Sequence, residues 1–201
     1  IHSIGLIGGI FMFAVYLQPS LRRLSVSIYF RCVAIFSALE NIFYIFFITR
    51  EIIQGPKWSL LSCKLTFYLL NVSSSCLVWF EVVAGFDRCL TIVFQHKSKF
   101  IRNRLFQRIL VIFIIFYNFS TNLTDLIFYK IVSMTKNRFN KTDVIQFCQL
   151  ENENILFLIS FVNSSAIPFV LMLILTIITF IGVLKAHKKV KSSITTEHAA
   201  R

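Results

Sequence analysis

The chain has 201 residues, 56% of them hydrophobic and 15% charged, whereas an average soluble domain carries roughly 25% charged residues. Its 21 basic and 9 acidic side chains stand beside 23 phenylalanines, and mean hydropathy is +0.73, which leaves too little charge to cover a water-soluble core. A net charge of +12 would suit a phosphate-binding surface, but in so apolar a chain basic loops flanking membrane spans account for it better, and no nucleic-acid partner is expected.

Stretches free of charge mark the spans, because a charge at bilayer depth is expensive. The first, residues 4–17, is about 14 residues long and rises only about 21 Å, short of the ~30 Å hydrocarbon core, so it looks cut at its front. It does not read as a signal peptide, since no basic segment precedes it and no small-x-small site follows. The second, 26–49, carries Arg31 near one end and Glu40 in its middle. The third, 65–86, encloses Glu81, and the fourth, 109–129, has Asp125 near its far end. The fifth, 155–184, lies in the uncharged interval between Glu153 and Lys185 and contains Pro168, a predicted helix kink. These runs are continuous and about twice as long as the alternating strands of a transmembrane barrel. The expected fold class is all-α: one membrane helical bundle over 1–201, without internal repeats or a soluble module.

Loop charge sets the orientation. Arg22 and Arg23 lie between the first and second spans; Arg88, Lys97, Lys99, Arg102, Arg104 and Arg108 lie between the third and fourth; Lys185, Lys188, Lys189 and Lys191 follow the fifth. Asp87 and Glu197 are the only acids among them, so the positive-inside rule puts these loops in the cytosol. The other two loops mix Arg50, Lys57, Lys130, Lys136, Arg138 and Lys141 with Glu51, Asp143, Glu151 and Glu153, and are expected outside. The N-terminus is then outside and the C-terminus cytosolic. Of five cysteines only Cys63 and Cys148 fall in the outward loops, where an oxidising compartment lets a disulfide persist, and they are expected to pair. Cys32, Cys76 and Cys89 read as small apolar packing residues, with palmitoylation an alternative for Cys89. Five N-x-S/T sequons occur, at Asn71, Asn118, Asn122, Asn140 and Asn163; only Asn140 lies in a long outward loop, and it is the expected glycosylation site.

The third span carries a resemblance to the rhodopsin-like (class A) G-protein-coupled receptors. Cys63-Lys64-Leu65 resembles the start of that family's helix three, Asp87-Arg88-Cys89 resembles its Asp-Arg-Tyr signature, and Arg88 follows Cys63 by 25 residues, as in the family. Trp58 resembles the family's tryptophan in the first outer loop, Cys148 its second disulfide cysteine, and Pro168 its helix-five proline. The run from Ser25 to Ile35 is similar to the opening of helix two in many invertebrate peptide receptors. The resemblance implies a multi-pass plasma-membrane receptor of which helices one to five of an expected seven are present, a fragment whose five-helix form should not signal alone. It implies an extracellular ligand and a heterotrimeric G protein as partners. A peptide ligand is favoured: Leu70, seven residues after Cys63, stands where amine receptors place an aspartate, and a desolvated ammonium needs a counter-ion. The resemblance also implies a switch, in which Asp87 holds Arg88 in a charge-assisted pair at rest and Arg88 is freed to meet the G protein. The chain departs from the pattern at Ser37, where the family's sodium-binding aspartate would stand, and at Thr176 in place of the helix-five tyrosine. Helix four lacks its usual tryptophan, helix one lacks its Gly-Asn, and Cys89 replaces the signature's tyrosine. These departures imply a divergent member, or one whose signalling is altered.

Glu40 and Glu81 are intramembrane carboxylates and therefore candidate functional groups. Glu81, two turns before Arg88, is either a neutral side chain bonded to a neighbouring helix or a switch element; Glu40, beside Asn41, faces either ligand or a neighbouring helix. No enzyme is expected, and no cofactor or metal: His2, His96, His187 and His198 are scattered over termini and loops, and no catalytic triad or phosphate loop can be assembled. The alternative reading is a segment of a multi-span transporter or channel, which would call for broken helices and inverted repeats.

Overall fold

Long runs of apolar residues satisfy their own backbone donors and acceptors by coiling into helices, and this governs most of the chain. The computed structural model describes residues 2–22, 24–54, 59–93, 103–138, 141–150, 158 and 161–199. In order they form α1 (His2–Leu17), a short α2 (Pro19–Arg22), α3 (Ser27–Gln54), α4 (Leu60–Val93), α5 (Arg104–Thr121) and α6 (Leu123–Phe128). A hairpin follows, β1 (Tyr129–Arg138) and β2 (Lys141–Leu150), and then a single π turn (Val162–Ala166) leads into α7 (Ile167–Ala199). The first, second and third expected spans correspond to α1, α3 and α4, the fourth to α5 with α6, and the fifth to the π turn with α7.

The helix α4 is the axis of the molecule, packing against α3, α5, α6, α7 and β1. Its residues Tyr68, Val72, Cys76, Phe80 and Ala84 recur every four positions and so fall on one stripe, which closes against Tyr29 and Val33 of α3 and Ile114 of α5 to make the buried core. Away from this seam the helices are apolar outside as well. Ile112, Phe113 and Phe116 on α5, and Phe169, Leu173 and Phe180 on α7, are exposed. A soluble bundle would carry its charge on such faces. Among the described residues three helices are long and apolar enough to cross a membrane, Ser27–Arg50, Arg104–Phe128 and Val162–Lys185, with Ile4–Leu17 as a shorter apolar helix.

The element boundaries differ from those expected, for local reasons. α4 runs several residues beyond 65–86 at both ends, and α7 runs past 184 through Lys185 to Ala199, because lysine is a good helix former and is favoured near a helix C-terminus. The fourth span begins earlier, at Arg104, where Asn103 caps it by accepting from the Leu105 amide at 3.0 Å. It breaks at Asn122. There Ser120 donates to the Phe116 carbonyl and Thr121 to the Tyr117 carbonyl, while the Asn122 side chain donates to the Asn118 carbonyl, a concentration of side-chain bonds on the helix backbone that bends and ends helices. The outward loop expected after it contains the hairpin, antiparallel from Tyr129↔Leu150 to Arg138↔Lys141. Its sequence is rich in strand-favouring Ile131, Val132, Thr135, Thr142, Val144 and Ile145. Helix is therefore the rule for the body of the chain, and this hairpin is the one departure among the described residues.

Pro168 is buried in the first turn of α7. It has no amide hydrogen to give the preceding turn and its ring crowds the carbonyl four residues back. The π turn just before it, closed by the Ile167 amide on the Val162 carbonyl, is where the helix takes up that misfit.

Small residues set the distance between α1 and α3. A methyl group added at Gly5 would stand 2.7 Å from the Asn41 Oδ1, and one at Gly9 would stand 3.4 Å from the Ala34 carbonyl oxygen and 3.6 Å from the Ala38 nitrogen. Gly5 and Gly9 thus form a G-x-x-x-G face seated on α3, Gly9 against Ala34 and Ala38 and Gly5 against the Asn41 side chain, a pairing that lets two backbones approach closely without a water-driven core. Gly8 has nothing within 4 Å of its would-be methyl. Gly9→Leu should therefore lower the unfolding free energy by about 1–3 kcal/mol, and Gly8→Leu should leave it within about 0.5 kcal/mol, measured by denaturant titration in detergent micelles. Equal effects at the two positions would show that α1 does not seat on α3 through this face.

Candidate functional site

Two polar constellations lie at opposite ends of α4. At the first end, Cys63 sits buried in the opening turn of α4, its amide on the Ser59 carbonyl at 3.0 Å. Its sulfur is bonded to Cys148, with the two Cα atoms 5.8 Å apart and 85 residues separating them in sequence. Cys148 lies on β2 opposite Ile131, so the bridge fixes the hairpin to the head of α4. Phe67 strengthens the attachment by stacking on Tyr129 at 4.7 Å and meeting Phe47 of α3 edge-on at 5.5 Å. The Lys64 ammonium donates to the Ile127 carbonyl at 3.2 Å and the Tyr68 hydroxyl to the Phe119 carbonyl at 3.0 Å, two of the backbone acceptors near the break at Asn122.

One turn further in, the Asn71 amide donates to the buried Asp125 carboxylate at 2.8 Å, joining α4 to α6. Asn71 was expected only as an unusable sequon, and Asp125 only as a charge near a span end. The signal that could have joined them was two polar residues inside apolar runs, which in a low-dielectric setting need partners. The other sequon asparagines inside the helices are engaged in the same way. Asn118 donates to the Ile114 carbonyl, Asn122 to the Asn118 carbonyl, and Asn163 accepts from the Tyr117 hydroxyl at 2.6 Å. Asn140 and Trp58 lie outside the described residues.

At the second end, Asp87 and Arg88 each make a contact of their own with the start of α3. Consecutive residues on a helix point about 100° apart and do not face each other. Asp87 is buried and accepts from the Ser25 hydroxyl at 2.6 Å, while the Arg88 guanidinium lies 5.0 Å above the Phe30 ring, itself stacked on Tyr16 of α1 at 5.0 Å. Ser25, in the turn before α3, and Phe30, in its first turn, are the partners that sequence reasoning missed; they belong to the segment noted only for its similarity to a receptor's helix two. Arg31 donates to the Ser27 carbonyl at 3.2 Å. Around these residues opens a cleft of about 830 Å³, lined among others by Arg31, Asp87, Arg88, Arg104, Gln107 and Arg108.

The remaining candidates are dispersed. Glu81 is exposed on the surface of α4 and Glu40 is half-buried on α3, so the two do not share a site. Ser37 accepts through its carbonyl from the Asn41 amide at 2.8 Å, and the Thr176 hydroxyl bonds back to the Met172 carbonyl at 2.7 Å. Among the described residues no group of three or more His, Cys, Asp or Glu side chains is placed to hold a metal ion. No protein-family model matches the chain, and no characterised protein matches it in sequence.

The Asn71–Asp125 bond makes a direct prediction. Asn71→Leu leaves the buried carboxylate without its amide donor and should destabilise the bundle by about 1–3 kcal/mol, whereas combining it with Asp125→Leu should restore part of the loss, because the carboxylate is then gone and the Tyr129 hydroxyl, which also bonds Asn71, is the group still missing its partner. Unfolding of the two single variants and the double variant in detergent measures this coupling. Additive losses would rule the bond out as a joint of α4 and α6.

Proposed function

We propose that this chain belongs to a membrane-spanning receptor of the rhodopsin-like G-protein-coupled type. In this reading it crosses the plasma membrane several times with the Cys63 end of α4 outside and the Arg88 end in the cytosol, binds an extracellular ligand, a peptide in preference to an amine, and activates a heterotrimeric G protein. One observation carries the reading. A single uninterrupted helix bears a cystine bridge to an outer hairpin at one end and Asp87-Arg88 at the other, and the 25 residues between Cys63 and Arg88 rise about 38 Å, enough to pass through a ~30 Å hydrocarbon core. The three long apolar helices, the glycine-on-alanine seam of α1 with α3, and the basic residues gathered beside Arg88 support it further.

In this reading the switch rests in contacts with α3 rather than in a simple Asp-Arg pair. Asp87 is held by Ser25 and Arg88 by the face of Phe30, so both signature residues are tied to the start of α3. A ligand that favours a packing in which α4 shifts against α3 draws Arg88 away from Phe30 and presents it to the cytosolic partner. It can do so only to the extent that it binds the two packings differently. At the outer end, the hairpin bridged to Cys63 and the Asn71–Asp125 joint couple any movement of the outer loop directly to α4.

The test is nucleotide exchange on purified G-protein heterotrimers by membranes bearing the protein, challenged with a synthetic library of short peptides. The unaltered protein should accelerate exchange with at least one peptide. Arg88→Ala should remove that response by about tenfold or more at equal surface level, and Phe30→Leu, which removes a cation–π contact of about 0.5–1 kcal/mol, should raise ligand-independent exchange about two- to fivefold. No response to any peptide, or an Arg88→Ala response equal to that of the unaltered protein, would reject the reading.

A further inference from the structure

The cleft at the Arg88 end is more than the surroundings of the signature. Arginines reach it from three helices: Arg31 from α3, Arg88 from α4, and Arg104 and Arg108 from α5. Among the described residues Asp87 is the only carboxylate lining it, and its Oδ2 is engaged by Ser25. Four guanidiniums around one cavity repel one another, and a bound anion relieves that repulsion. The N-terminus of the 18-residue α5 stands at the same place, adding the positive end of its dipole. Part of the wall is different in kind: beside the polar Ser25, Thr91 and Gln107, residues Phe13, Ile28, Ile35 and Ile92 line it with hydrocarbon.

We propose that this cleft is a binding site for the headgroup of an anionic phospholipid of the cytosolic leaflet, specifically one bearing phosphomonoesters. The juxtaposition of arginines and isoleucines in one cavity matches an amphiphile, with phosphate at one end and acyl chain at the other. Arginine forks bind phosphate oxygens bidentately, and a diester headgroup with a single net charge would leave most of the cleft's charge unbalanced. The volume of about 830 Å³ lies within the range of small-molecule sites. Arg104 also begins a helix long and apolar enough to cross a membrane, so the cleft falls at the depth where headgroups lie. The proposal rests on the orientation given above, but not on coupling to a G protein. Loss of coupling with headgroup binding intact would separate the two.

The experiment uses the purified chain in detergent micelles and a fluorescent phosphatidylinositol bisphosphate as probe, followed by anisotropy. Binding should saturate at one lipid per chain and resist competition by phosphatidylserine at equal total charge. Arg104→Gln with Arg108→Gln should weaken it about 30-fold, from about 1 kcal/mol for each basic residue at a membrane surface. Lys185→Gln, on an exposed turn that does not line the cleft, should leave it unchanged. Retention of the Cys63–Cys148 bridge and of helical circular dichroism in each variant guards against misfolding. The proposal is overturned if phosphatidylserine displaces the probe equally well, or if the double arginine variant binds like the unaltered chain. It is overturned also if soluble inositol trisphosphate binds as tightly as the lipid, which would make the ligand a free phosphate, or if an acidic helical peptide binds more tightly than the lipid, which would make it a protein.

Discussion

The stripe of Tyr68, Val72, Cys76, Phe80 and Ala84 along α4 is the contact on which the rest of the molecule depends. It is the seam around which α3 and α5 close, and it leaves the outer faces of the bundle as apolar as the inside. In lipid the outer faces need no covering, and helix association is left to close packing and to hydrogen bonds between helices. The fold supplies both: glycine on alanine where α1 meets α3, and Asn71 on Asp125 where α4 meets α6.

The polar residues inside the bundle then take on a common logic. Asn118, Asn122, Thr121 and Ser120 spend their side chains on the backbone of the helix that carries them, and the helix gives way at Asn122 as a result. Asp125 comes just after that break, where the shortened α6 can turn it toward α4. The hairpin begins at Tyr129, and the bridge from Cys148 returns it to the first turn of α4. The break, the buried carboxylate and the outer hairpin are thus one feature, and all of it is anchored to the same end of the same helix.

Much of this was legible in the residues. Charge-free intervals located the helices, and the restriction of two cysteines to one side of the chain pointed to the Cys63–Cys148 bridge. Other features were hidden. The contacts of Asp87 with Ser25 and of Arg88 with Phe30 join residues about sixty positions apart, a separation that no local pattern spans. The hairpin was hidden by its mixture of charged and β-branched residues, which reads equally well as an exposed loop. Asn71 and Asp125 each looked like an isolated polar residue, because the break at Asn122 that brings them together is a consequence of side-chain hydrogen bonding, not of hydropathy. Pro168 announced an irregular helix, yet its form as a π turn on the N-terminal side depends on how one freed carbonyl is accommodated.

The proposed receptor requires α4 to pass from one side of a membrane to the other, with the bridged end outside and the arginine end inside. Sided labelling of its two ends tests this most directly. With Cys32, Cys76 and Cys89 replaced by alanine, a cysteine introduced at Ser59 should react with a membrane-impermeant maleimide on intact cells, and one at Val93 should react only after the plasma membrane is permeabilised. Labelling of both positions from the same side would show that α4 does not cross the membrane.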